Sequence, residues 1–376
     1  MNVAGDGARA EALGSWLVAA IIVLVQVTPG FAQTATAPPD HHDAKAAQPP
    51  PDADANPVLQ LRAFGDVQFR ATDTGSAKTT FALGQLDLFI TSALGDSFSV
   101  LAETVVEAND ENKFGFEIER LQLQYFPNDH VKLIVGRYHA NIGYYNTAYH
   151  HGTWFQTTVG RPRLFSFEDQ GGILPIHDVG ISATGLISSG ALGLHYVAEV
   201  GNGRDWRLNA EAVQNAIDNN TGKAVNVGFF ARPAAWSGFQ AGATVYRSHI
   251  TNGVEPEVTH TILAAHVVYE RPDLEVLNEF VLQQHQPDGG GTFRTPAFYS
   301  QLSRRFGRVR PFVRYEFIDI EPGTPILAAT GREHGPSLGV RYEAGSFVAL
   351  KAQYDRLSRQ ARDASNGVTV QMAFTF

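Results

Sequence analysis

Hydrophobic and polar residues alternate along most of the chain after Val58. In the C-terminal stretch GVTVQMAFTF, Val368, Val370, Met372, Phe374 and Phe376 fall on one face. Thr369, Gln371, Ala373 and Thr375 fall on the other. A period of two predicts a strand whose two faces meet different surroundings. Nearer the start, Leu59, Leu61, Ala63, Val67 and Phe69 alternate with Gln60, Arg62, Asp66, Gln68 and Arg70. Further on, Leu121, Leu123 and Tyr125 alternate with Arg120, Gln122 and Gln124. Sixteen such segments are legible, the first eight at about 59–71, 81–93, 97–108, 114–126, 131–139, 178–187, 191–200 and 224–233. The rest lie at about 238–249, 258–270, 273–285, 296–306, 309–319, 333–343, 347–356 and 366–376. Most exceed the ~5–6 residues usual in soluble sheets and reach the ~9–11 of a tilted membrane strand.

The links between these segments also alternate. ALGDS, FPNDH, SSGA, AAWSG, ERPD, FGR and EAGS are short, whereas 140–177, 201–223, 286–295 and 320–332 are long. Short turns at one end and long loops at the other predict an all-β fold, a transmembrane antiparallel up-and-down barrel of about 16 strands. It would occupy 58–376, with lipid outside and water inside. Aromatics gather beside the short turns: Phe98, Tyr125, Phe126, Trp236, Phe239, Tyr269, Phe306, Tyr342 and Phe347. Amphipathic rings settle at a membrane interface, so these mark one rim.

The N-terminal region reads differently. SWLVAAIIVLV (Ser15–Val25) is followed by Pro29 and Gly30, and small residues Gly30 and Ala32 flank Phe31. This is the pattern of a secretory signal peptide over 1–32, although Asp6 and Glu11 offset Arg9. The alternative is an uncleaved anchor, which needs ~18 or more apolar residues. Residues 33–57, including PPDHHDAKAAQPPPDADANP, cannot bury a core and read as an extended periplasmic linker.

Composition narrows the chemistry. With no Cys there is no disulfide, thiolate metal site or Cys nucleophile. A formal net charge of -9 gives no basic footprint, which argues against a nucleic-acid partner. His139, His150, His151 and His177 lie near one another in sequence, but adjacent histidines in an extended chain direct their rings apart, so no metal or cofactor is expected. No nucleophile motif is recognisable, and the chain is expected not to be an enzyme.

The terminal strand ending in Phe376, the sixteen-strand rhythm and a longest loop between the fifth and sixth segments together resemble the outer-membrane porins. The phosphate-selective and related porins are the nearest type. FEDQGGILP (167–175) is similar to the acidic residue and paired glycines of a porin constriction loop, without matching it. The resemblance implies an outer-membrane location in a Gram-negative-type cell, outer-membrane lipid and the barrel-assembly machinery as partners, and a homotrimer.

It also implies that loop 140–177 folds into the lumen. There Trp154, Phe155, Phe165 and Phe167 would fill space while Arg161, Arg163, Glu168 and Asp169 faced the channel. The other placement is outside, over the barrel mouth or against a neighbouring subunit. On strand parity the lumen-facing charges include Arg62, Glu103, Arg120, Glu279, Arg314, Arg341 and Lys351. These mixed signs predict a passive diffusion channel for small hydrophilic solutes with weak ion selectivity, tilted towards cations by the net charge. The competing readings are a plugged structural or adhesive barrel and an outer-membrane barrel hydrolase.

Overall fold

A computed structural model of the chain describes residues 57–74, 79–108, 112–149, 152–168, 170–204, 216–218, 220–251, 256–327, 331–360 and 362–376. The expected signal peptide and the linker up to residue 56 lie outside the described residues. Sixteen strands follow. They begin with β1 (Leu59–Thr72), β2 (Thr79–Ala93), β3 (Phe98–Ala108), β4 (Phe114–Asn128) and β5 (Val131–His139). Next come β6 (His177–Leu186), β7 (Leu194–Gly201), β8 (Ala224–Ala231), β9 (Phe239–Ile250), β10 (Val258–Glu270) and β11 (Leu274–Pro287). The last are β12 (Phe293–Arg304), β13 (Val309–Ile320), β14 (Gly331–Glu343), β15 (Val348–Arg359) and β16 (Arg362–Thr375). Each pairs antiparallel with its sequence neighbours, and β1 pairs with β16 to close the barrel. Closure leaves no open edge, so the strands satisfy one another's backbone groups. Among the described residues no helix is long and apolar enough to cross a membrane.

The exterior is apolar. Leu121, Leu123, Val225, Val227, Phe229, Phe280 and Leu302 alternate outward and are exposed. Trp236, Phe306 and Phe347 are exposed beside the short turns, and Phe98 packs on Tyr125 with centroids 4.6 Å apart. The strands agree with the predicted segments to within a few residues. The largest differences are at β16, which begins at Arg362 because it stays paired with β15 beyond the expected end, and at β7, β12 and β15. One local device escapes a strict period of two. Gly136 takes φ +130, and a Cβ there would lie 2.0 Å from Leu121 O. Only glycine fits this approach. The residue after it, Arg137, is buried and donates from Nε to Glu119 O at 3.1 Å.

The interior is not uniformly wet, which corrects the expected water-filled lumen. On β9 to β13 many inward positions are apolar and fully buried: Tyr246, Ile250, Val258, Ile262, Leu277, Val281, Ala297 and Tyr299. They form one cluster with Ile142, Tyr144, Tyr145, Leu164, Phe165, Leu174 and Ile176 from the segment between β5 and β6. Each such side chain contributes roughly 1.5–3 kcal/mol when removed from water, so this half of the lumen is a protein core. The opposite wall is polar. Its inward residues stand level across three strands as Lys351–Gln371–Gln68, Gln353–Thr369–Arg70 and Asp355–Gly367–Thr72.

Candidate functional site

The segment after β5 enters the barrel, turns through a short helix α1 (Tyr145–Ala148) and a 3-10 turn at Arg163–Phe165, and leaves at His177. Its aromatics anchor it as expected. Tyr145 stacks on Tyr149 at 4.4 Å, Phe165 is fully buried, and Phe155 meets Phe64 of β1 at 4.8 Å.

An irregular backbone inside a barrel must find partners for its N–H and C=O groups. Here the wall supplies them. Lys351 Nζ donates to Thr153 O at 2.6 Å and Thr158 O at 2.9 Å. Arg341 Nη1 donates to Gln156 O at 2.9 Å and also to Trp154 O. Arg314 Nη1 reaches Thr158 Oγ1 at 2.9 Å and Gly160 O at 3.2 Å. Carboxylates take the amides. Glu279 accepts from Tyr144 N at 2.5 Å and Tyr145 N at 2.9 Å, and Glu316 accepts from Arg163 N at 2.6 Å. Glu275 accepts from Thr157 Oγ1 at 3.0 Å, and Gln353 Oε1 from Val159 N at 2.8 Å.

This arrangement corrects the assignment of the wall charges. Glu279, Arg314, Arg341 and Lys351 do face inward, but they are buried and hold the loop rather than line open water. Hydrogen bonds to charged groups contribute about 1.5–3 kcal/mol each, enough to fix the loop's position. Glu103 and Arg120 form an ion pair at 2.5 Å that braces β3 against β4, with Arg120 over the Phe89 ring. Arg62 lies exposed near the start of β1.

The loop's own charges divide too. Arg161 does not face a channel. It donates to Phe165 O at 2.8 Å and Asn146 Oδ1 at 3.1 Å and lies over the Phe167 ring at 4.4 Å. Glu168 is likewise internal, accepting from Ile176 N at 2.7 Å and His177 N at 3.1 Å. Burial works against its ionisation, yet the facing His177 ring and these amides hold its carboxyl below the ordinary range. His177 itself bridges Glu168 and Glu119, with Nε2 2.9 Å from Glu119 Oε2. Arg163 does reach the channel, beside its ion pair with Glu333. Asp169, His150 and His151 lie outside the described residues. Among the described residues no group of three or more His, Asp or Glu side chains is placed to hold a metal ion.

A cavity of about 520 Å³ lies between the loop and β1, β15 and β16. Gln68, Arg70, Gln353, Asp355 and Gln371 line it from the wall, and Thr153, Val159, Gly160 and Arg163 from the loop. Sequence parity places Gln68 and Arg70 on the inward face but does not single them out. Only the loop's lean towards β9–β13 makes their side the open one.

Lys351→Met tests the anchoring. Two loop carbonyls would lose their donor inside the barrel, at about 1–3 kcal/mol for each unsatisfied group. Hydrogen exchange at residues 153–160 should rise severalfold while the strands stay protected. Unchanged exchange there would show that the lysine does not hold the loop.

No family model matches the chain, and no curated protein sequence matches it. Solved structures do. The anion-selective porin from Comamonas acidovorans superposes with a TM-score of 0.61 at 14% identity, covering 85% of this chain and 100% of that one. OmpT of Vibrio cholerae in its trimer form gives a TM-score of 0.59 at 11% identity, covering 86% and 100%. The outer membrane channel DcaP of Acinetobacter baumannii gives 0.57 at 12% identity, covering 86% and 98%. The closed antiparallel barrel of sixteen strands described here is thus the fold of the outer-membrane porins.

Proposed function

We propose that the chain is a passive diffusion channel of the outer membrane of a Gram-negative-type cell, admitting small hydrophilic solutes with weak ion selectivity. The observation that carries this reading is the polar cavity left between the loop and the wall of β1, β15 and β16. Wall charges of both signs are spent on the loop backbone, so no long ladder of one sign remains to repay the dehydration of an ion. Residence in the outer membrane follows from the apolar exterior and the porin fold. A homotrimer is proposed because the trimer form of Vibrio cholerae OmpT has this fold. Insertion by the barrel-assembly machinery follows from the terminal strand. The reading involves no catalytic step and no cofactor.

A second reading, a plugged structural barrel, draws on the apolar packing of the loop against β9–β13. Single-channel recording in a planar bilayer separates the two. The folded chain should give stable conductance steps, and arabinose should swell liposomes that contain it. Neither conductance nor swelling from a folded sample would establish the plugged barrel. Lipid or peptide hydrolysis by that sample would favour an enzyme.

A further inference from the structure

We propose that the short-turn rim of β10–β13 is a docking surface for anionic phospholipid, whose phosphates Arg271, Arg304, Arg305 and Arg308 bind. The short turns share one end of the barrel with the C-terminus, since Thr375 N donates to Phe347 O beside the β14–β15 turn at 3.0 Å. In an outer-membrane barrel this end faces the periplasm. The surface lies outside the lumen, so the proposal is independent of what passes through it.

Three neighbouring turns form the patch. Arg271, on the β10–β11 turn, donates from Nη1 to Ser237 O of the β8–β9 turn at 3.1 Å. Arg305 N donates to Asp273 O at 2.8 Å, which ties the β12–β13 turn to the β10–β11 turn. Arg310 adds a second tie, from Nη2 to Pro272 O at 2.6 Å. Arg271, Arg304 and Arg308 are exposed, and Arg305 is half-buried with its Nε on Gly307 O at 2.8 Å. Among the described residues none of these four guanidinium groups has a carboxylate partner. Each has five N–H groups, so donors remain for a ligand. Asp273 is exposed beside them, but Glu270 is held by the Tyr144 and Tyr149 hydroxyls and Glu343 by Arg341 at 2.8 Å. The patch is therefore positive on a chain whose formal net charge is -9. The β2–β3 and β4–β5 turns of the same rim instead carry Asp96 and Asp129.

The surroundings identify the partner as lipid. Trp236 and Phe306 stand 60% and 59% exposed on these same turns, and Arg304 lies over the Phe306 ring at 5.4 Å. Exposed Leu302, Val309 and Val313 continue the patch into the apolar outer wall. Aromatic rings settle at the level of lipid headgroups, and a guanidinium fork pairs with a phosphate through two hydrogen bonds. A soluble or cell-wall polyanion would meet the arginines but leave the rings and the aliphatic wall uncovered.

The test uses the full chain folded in dodecyl maltoside, mixed with equal amounts of phosphatidylglycerol and phosphatidylethanolamine, and native mass spectrometry of the retained lipid. Wild type should retain phosphatidylglycerol in preference. An arginine near an anionic surface contributes about fivefold, so Arg304→Gln and Arg308→Gln together should lower that preference by about tenfold or more, and each alone by less. Arg247→Gln, which removes an exposed arginine near the other end of β9, should leave it unchanged. Heat-modifiable migration identifies the folded fraction of every variant. Equal retention of the two lipids by wild type would overturn the proposal. So would an unaltered preference in the folded single or double variants, or an equal loss in Arg247→Gln. Sedimentation with purified peptidoglycan that the double variant loses, while its lipid preference stays the same, would overturn the lipid assignment in favour of the cell wall.

Discussion

Replacing Phe376 by Asp should abolish assembly in the outer membrane and leave the chain in the periplasm. The folded barrel would tolerate the change better than the cell does. Phe376 exchanges backbone bonds with Ala63 at 2.9 and 3.0 Å, and these remain available to an Asp. Its ring is 73% exposed and touches Phe374 at 6.3 Å, so little packing is lost. A charge near a membrane interface costs only about 0–1 kcal/mol on a barrel exterior, against roughly 2–4 kcal/mol for a basic residue at the midplane. That loss is too small to unfold a closed barrel. A large effect in cells must then come from recognition of the terminal strand during insertion. Two measurements separate these contributions: outer-membrane yield in a Gram-negative host, and refolding of purified chain into detergent. We expect yield to collapse and refolding to stay close to wild type. Normal yield would remove the terminal aromatic from the assembly signal, and failed refolding would make its role structural.

Deleting residues 145–170 should raise single-channel conductance severalfold. The deleted stretch contains Tyr145, Tyr149, Leu164 and Phe165, which fill the lumen against β9–β13. Without it, Glu275, Glu279, Glu316, Arg314, Arg341 and Lys351 lose the loop groups they now hold and face water. Water can solvate all six, so the barrel gains a wide polar bore. The apolar inner wall around Ile262 and Val281 would become wetted, which should lower thermal stability. The closed strand ladder does not depend on the loop, and heat-modifiable migration of a folded barrel should persist. Conductance equal to wild type would mean that current does not pass through the space the loop occupies.

The strand pattern and the location of the long loop were legible from residue order because both depend on local geometry. Side chains in a strand alternate whatever lies beyond them, so Gln122 and Gln124 were assigned inward and Leu121 and Leu123 outward on parity alone. Short turns such as ALGDS and EAGS marked one rim for the same reason. Arg137 departs from this logic because Gly136, at φ +130, breaks the regular strand geometry before it.

Tertiary structure decided what each inward group meets. Parity states which face a residue occupies, not whether water or protein stands opposite. Lys351 and Arg70 share inward parity on neighbouring parts of the wall, yet Lys351 holds loop carbonyls while Arg70 faces the cavity. The difference arises because the loop leans on the apolar inner wall of β9–β13, where Ile262 and Val281 bury its aromatics. Its unpaired backbone then recruits the charges it reaches, and those it misses line the passage. The barrel was therefore written in an alternation that any single strand can carry. The place of the cavity and the residues that line it required the whole chain, because they follow from contacts between strands and a loop far apart in sequence.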